Sequence, residues 1–135
     1  MQSIVELAAN HLASMPNQDL PIVQFLYDPN VLNCVALFPL AGRGTEFFSD
    51  TTSPTTMGVI DSPGLQVQVR YSDPINAFML CEAIRVWLDQ NPPSGYVMCF
   101  TTRDQPSNVT SPEDLASQSG PLYRFSCDFS LTKVR

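Results

Sequence analysis

Leu65-Gln66-Val67-Gln68-Val69-Arg70-Tyr71-Ser72-Asp73-Pro74 is the stretch whose reading decides the fold. Its first seven residues alternate strictly, with Leu65, Val67, Val69 and Tyr71 on one side and Gln66, Gln68 and Arg70 on the other. Successive strand side chains point to opposite faces, so this is a half-buried strand in a sheet with one polar side. The last residues change the geometry. Asp73 suits a helix N-cap, and Pro74 suits the first helical position, where no N–H is needed. Ala77, Leu80, Cys81, Ile84 and Leu88 then recur at helical spacing until Asn91-Pro92-Pro93 ends the helix. Phe78, Val86 and Trp87 lie outside that stripe. Deep burial between layers and burial against another subunit both account for the extra apolar side.

Working outward, Cys34 to Phe38 is a continuous apolar run of buried-strand length, stopped by Pro39. Before it, Asp28-Pro29-Asn30 reads as a turn, and Ile22 to Tyr27 is a short apolar patch with room for an extra strand. Ser3-Ile4-Val5-Glu6 matches a capping box, and Ile4, Leu7, Ala8, Leu12 and Met15 follow at helical spacing until Pro16. Downstream, Tyr96 to Thr101 is a strand. The closing strand, about Leu122 to Val134, sets Tyr123, Phe125, Cys127, Phe129 and Leu131 on one face and Arg124, Ser126, Asp128, Ser130 and Thr132 on the other. These elements predict one α+β domain over residues 1–135. It is a two-layer fold, with a mainly antiparallel sheet of about four to five strands and two helices on one face. The sheet's polar face is expected to be free of helices from the same chain. Proline, glycine, serine and threonine mark residues 39–63 and 102–121 as long loops. Within the second, Ser111-Pro112-Glu113-Asp114 reads as the first turn of a short helix. Phe47-Phe48, in the first, is either tucked onto the core or held out for a partner.

The 135 residues carry a net charge of −6, and 44% are apolar. Residues 1–67 contain a single base, Arg43, against six acids. With no Lys/Arg cluster, a grip on nucleic-acid phosphate or on an anionic membrane surface is disfavoured. No apolar run reaches the length of a spanning helix, and the first residues do not read as a signal peptide, so folding in a cytoplasm is expected. Cys34, Cys81, Cys99 and Cys127 form no C-x-x-C pair, and His11 is the one histidine. The cysteines are therefore read as reduced, buried small hydrophobes rather than zinc ligands. His11 reads as a partly exposed helix residue. No nucleophile elbow or phosphate-binding loop is present, and Gly42-Arg43-Gly44 lacks the third glycine and helix of a dinucleotide site. No cofactor, metal or enzyme activity is expected.

The ordered combination from Asp28-Pro29-Asn30 through Asn33 to Phe38, Met57-Gly58, Leu65 to Arg70 and the Asp73-Pro74 helix resembles the phage minor capsid/tail terminator family. The Phe125-x-Cys127-x-Phe129 strand is consistent with it. The resemblance implies a structural virion protein, assembled in the host cytoplasm and placed at the tail neck of a long-tailed bacteriophage. Such proteins form a homo-oligomeric, hexameric ring that caps the tail tube, ends its polymerisation and meets the head connector or stopper protein. Genomic DNA passes through the lumen without specific binding, and an acidic chain suits that passage. Candidate interface residues are Arg43, Phe47, Phe48, Gln66, Gln68 and Arg70. Arg43 is expected to pair with Asp61 or Asp73 of the next subunit, and residues 39–63 to become ordered on contact. The alternatives are another head–tail neck component or a small cysteine-dependent hydrolase.

Overall fold

The computed structural model describes residues 3–27, 31–50, 53–101, 105–118 and 120–134, with side chains described outside 41–61, 100 and 134. The elements are α1 (Ile4–Leu12), β1 (Ile22–Gln24), β2 (Cys34–Asp50), β3 (Ser53–Tyr71), α2 (Pro74–Gln90), β4 (Met98–Thr101), β5 (Ser107–Asn108), α3 (Pro112–Leu115) and β6 (Tyr123–Val134). The architecture is α+β, with a six-stranded mixed sheet ordered β1-β2-β3-β6-β4 and β5 paired to β6. Among the described residues only β1 runs parallel to its neighbour, pairing Ile22 with Val35; the other pairs are antiparallel. The expected turn at Asp28-Pro29-Asn30 lies outside the described residues.

Both expected helix starts form. Ser3 Oγ accepts from the Glu6 N–H at 3.1 Å, and Asp73 Oδ1 accepts from the Ile75 N–H at 2.9 Å. Each bond satisfies a backbone donor that has no partner within its helix. The helices cover the apolar face of the sheet. The core joins Val5, Ala8 and Leu12 of α1 and Ala77, Cys81, Ile84 and Leu88 of α2 to strand residues. These are Val35 and Leu37 of β2, Leu65, Val67 and Val69 of β3, and Cys127, Phe129 and Leu131 of β6. The alternation read at 65–71 and 123–131 thus becomes the inner face of the two central strands.

Residues 39–63 correct the loop expectation. Residues 39–50 and 53–63 belong to the distal halves of β2 and β3, which pair antiparallel from Cys34 with Arg70 out to Asp50 with Ser53. Pro39 and Pro63, which looked like strand breakers, occupy permissive positions. Val35 donates to Pro21 and Leu37 accepts from Phe25, so odd-numbered β2 residues turn their backbone groups toward β1. Pro39 continues that parity past the end of β1, where the missing N–H breaks no ladder bond. Between Leu40 and Gly44 the register shifts, and Pro63 faces this bulge. Residues 102–121 are likewise punctuated by β5 and α3 rather than forming a continuous loop. The short helix expected at 111–114 is present, and a complete Ser111/Asp114 capping box closes it.

Gly64 is required next to the bulge by close approach. A Cβ there would lie 2.9 Å from the Leu40 Cβ and 3.0 Å from its carbonyl oxygen. Gly64→Ala is expected to cost about 1–3 kcal/mol through this overlap. An unchanged denaturant midpoint would contradict the tight crossing.

Candidate functional site

The polar face of the sheet carries three of the six candidate residues. Gln66, Gln68 and Arg70 of β3 stand opposite Asp128, Ser126 and Arg124 of β6. This face is not bare. After β1 the chain turns at Phe25, whose φ is +68°, a left-handed value uncommon for a bulky residue. The turn brings Tyr27 over the face. Tyr27 Oη donates to Gln68 Oε1 at 2.7 Å, Gln68 Nε2 donates to Gln66 Oε1 at 2.9 Å, and Gln66 Nε2 donates to Asp128 Oδ1 at 3.1 Å. Four side chains thereby form one directional chain of hydrogen bonds. Burial pushes the Tyr27 phenol up to about 12, despite the opposing charge of Arg124, so it remains a donor at neutral pH.

Two guanidiniums complete the cluster. Arg70 lies 4.3 Å from the centre of the Tyr27 ring and donates to the carbonyls of Leu32 at 2.9 Å and Val31 at 2.5 Å. Arg124 lies 5.4 Å from the same ring and pairs with Asp114 at 2.5 Å. The expectation of a helix-free polar face therefore needs correction. The long helices stay on the other side, but the one-turn α3 packs against β6 and supplies Asp114. The structure brings Gln66, Gln68 and Arg70 together and engages each within the chain: Gln68 holds Tyr27, Arg70 holds the Val31 and Leu32 carbonyls, and Gln66 bridges Gln68 to Asp128. Tyr27, which organises this face, escaped the sequence reading. Its signal was an aromatic immediately before the sequence Asp28-Pro29-Asn30.

Burial raises the Asp114 carboxyl, but hydrogen bonds from the Ser111 backbone and from the Arg124 and Ser111 side chains outweigh it and hold the group below its ordinary value. A carboxyl depressed on folding stabilises the protein above its unfolded value, and that contribution is lost as pH falls through the folded value. With the Asp114 side chain only 11% exposed, Asp114→Asn is expected to cost about 1.5–3 kcal/mol at neutral pH. The gap to the unsubstituted protein should close on acidification. A gap independent of pH would contradict the pairing.

Arg43, Phe47 and Phe48 fall on the backbone of β2, with Phe47 opposite Val59 and Phe48 opposite Gly58. Their side chains, and that of Asp61, lie outside the described residues. Asp73 is occupied as the α2 cap and also accepts from the Asn76 side chain. What the topology places here is an arm. β6 ends its pairing where Val134 meets Ile60, and β1 ends where Gln24 meets Leu37. From Phe47 and Val59 outward, β2 and β3 pair only with each other among the described residues. Among the described residues, no strand pairs with the outer edge of β2 from Phe38 to Asp50, a span of roughly 40 Å at strand rise.

A second surface lies on the outside of α2. Ile75, Met79 and Val86 are 68%, 61% and 41% exposed. A groove of about 590 Å³ runs between Met15, Pro16, Phe78, Met79, Val86 and Trp87. Of the three residues read as the helix's extra apolar side, Trp87 packs against the core and Phe78 against the Phe125 ring, so only Val86 among them is exposed.

His11 and the four cysteines are taken up in the packing of the domain. His11 Nε2 is 2.7 Å from the Asn91 carbonyl, and its ring lies 4.6 Å from the Trp87 ring, so it ties α1 to the end of α2. All four cysteines are buried, and none is in a disulfide. Burial pushes the Cys99 thiol up to about 12, which leaves little thiolate to act as a nucleophile. Among the described residues, no group of three metal-ligating side chains occurs, and no helix is long and apolar enough to cross a membrane. No family model matches the chain, and no curated protein matches it in sequence.

Proposed function

We propose that this chain is a structural subunit that assembles edge to edge with copies of itself. More particularly, we propose that it caps the tail tube of a long-tailed bacteriophage, ending tube growth and joining the tail to the head connector. The observation that carries the reading is the arm. Natural proteins rarely leave a long strand edge open, because its unpaired N–H and C=O groups recruit another strand. A two-stranded ribbon alone is marginal in water and gains stability from a further strand or surface. The arm therefore suits a subunit that completes itself by assembly. The apolar outer side of α2 gives such a subunit a second contact surface. The sequence resemblance narrows this class to the tail terminator, and the acidic chain suits a ring through which DNA slides.

The reading is tested in particles. Phage made without this chain should carry free tails of irregular, excessive length and unattached full heads. Normal-length tails without heads would assign the chain to the neck instead. Infectious particles of normal form would contradict both.

A further inference from the structure

We propose that Cys81 and Cys127 form an internal dithiol that closes to an intrachain disulfide when the protein meets a two-electron oxidant of the peroxide class. The two residues are 46 positions apart, yet their Sγ atoms lie 3.4 Å from each other in the core, one on α2 and the other on β6. Both are buried, at 0% and 5% exposure. A disulfide needs about 2.05 Å between sulfurs, so the thiols are already in contact and need to close by little more than an ångström. The remaining cysteines are placed differently. Cys34 stands opposite Arg70 on the polar face, and Cys99 lies on β4 opposite Leu131.

The chemistry balances with the oxidant alone. One thiol loses its proton and its sulfur attacks a peroxide oxygen, breaking the O–O bond and giving a sulfenic acid and water. The second sulfur attacks the first, the S–O bond breaks, and a second water leaves with the remaining thiol proton. Two thiols are oxidised and one peroxide is reduced to two waters. The hydrogen bond with Cys127 and burial both raise the Cys81 pKa. Thiolate is therefore scarce, and the pair stays reduced through brief exposure. Once closed, the bond staples the long helix to the central strand and restricts the unfolded chain. This inference does not depend on the proposed role in a phage tail.

The test uses the full-length purified chain. It is incubated with hydrogen peroxide, denatured, alkylated and digested. The expected product is one linked peptide pair joining Cys81 to Cys127, two hydrogens lighter than the reduced pair, with Cys34 and Cys99 alkylated. The Tm should rise by about 5–10 °C and return on treatment with a reductant. Four alkylatable thiols after prolonged exposure would overturn the proposal. So would sulfur oxygenation without a link, or a link through Cys34, Cys99 or a second chain.

Discussion

Phe129→Ala is expected to destabilise the protein by about 3–5 kcal/mol, the largest loss from any single truncation considered. Phe129 is the bulkiest of the fully buried side chains, at 1% exposure. It stands in β6 between Leu65 of β3 and Thr101 of β4, so sheet neighbours flank it on both sides. Removing the ring leaves a void that two hydrogen-bonded strands cannot collapse to fill. A domain of this size has roughly 5–15 kcal/mol in total, so the variant should melt far lower and lose solubility. Met98→Ala provides the contrast. Met98 is 52% exposed at the neighbouring edge strand, and its truncation should stay within about 0.5 kcal/mol. Comparable denaturant midpoints for the two variants would show that the core is not centred on β6.

Shortening the arm should separate folding from assembly. Phe47 and Val59 form a cross-strand pair just beyond the last β6 partner of β3. Excising residues 48–58 and joining that pair through Asn-Gly supplies a two-residue hairpin turn. Among the described residues the excised stretch pairs only with itself, so the shortened chain should unfold cooperatively, with stability changed by less than about 1 kcal/mol. Self-association should be lost. A milder version replaces Phe47 and Phe48 by serine, and tails of normal length joined normally to heads would then show that these side chains do not carry the contact. If the shortened chain assembles as the full-length one does, the arm is not the assembly element.

The layered fold was legible because its signals are local. Alternation at 65–71 and 123–131, with Asp-Pro at a helix start, specifies which face is buried without reference to any distant residue. The distal hairpin was not legible. Gly42, Gly44, Pro54 and Pro63 read as loop residues, and only the parity of backbone directions set by β1 shows why Pro39 is tolerated. That parity is a property of tertiary pairing, which leaves no mark in a linear pattern. The same holds for the polar face. Gln66, Gln68 and Arg70 share one side of a strand, as their alternation specifies, but the partners Tyr27 of Gln68 and Val31 and Leu32 of Arg70 come from about 40 residues earlier. The proximity of Cys81 and Cys127 likewise follows from α2 packing across β6.

Assembly into a closed ring is the central claim, and the mass and image of the purified chain test it most directly. Light scattering at high protein concentration, with electron microscopy of the same sample, should show a species near six times the 14.9 kDa subunit mass. Its end-on views should show a ring around an open channel. A monodisperse 14.9 kDa species at every concentration, with no rings in the images, would contradict the account.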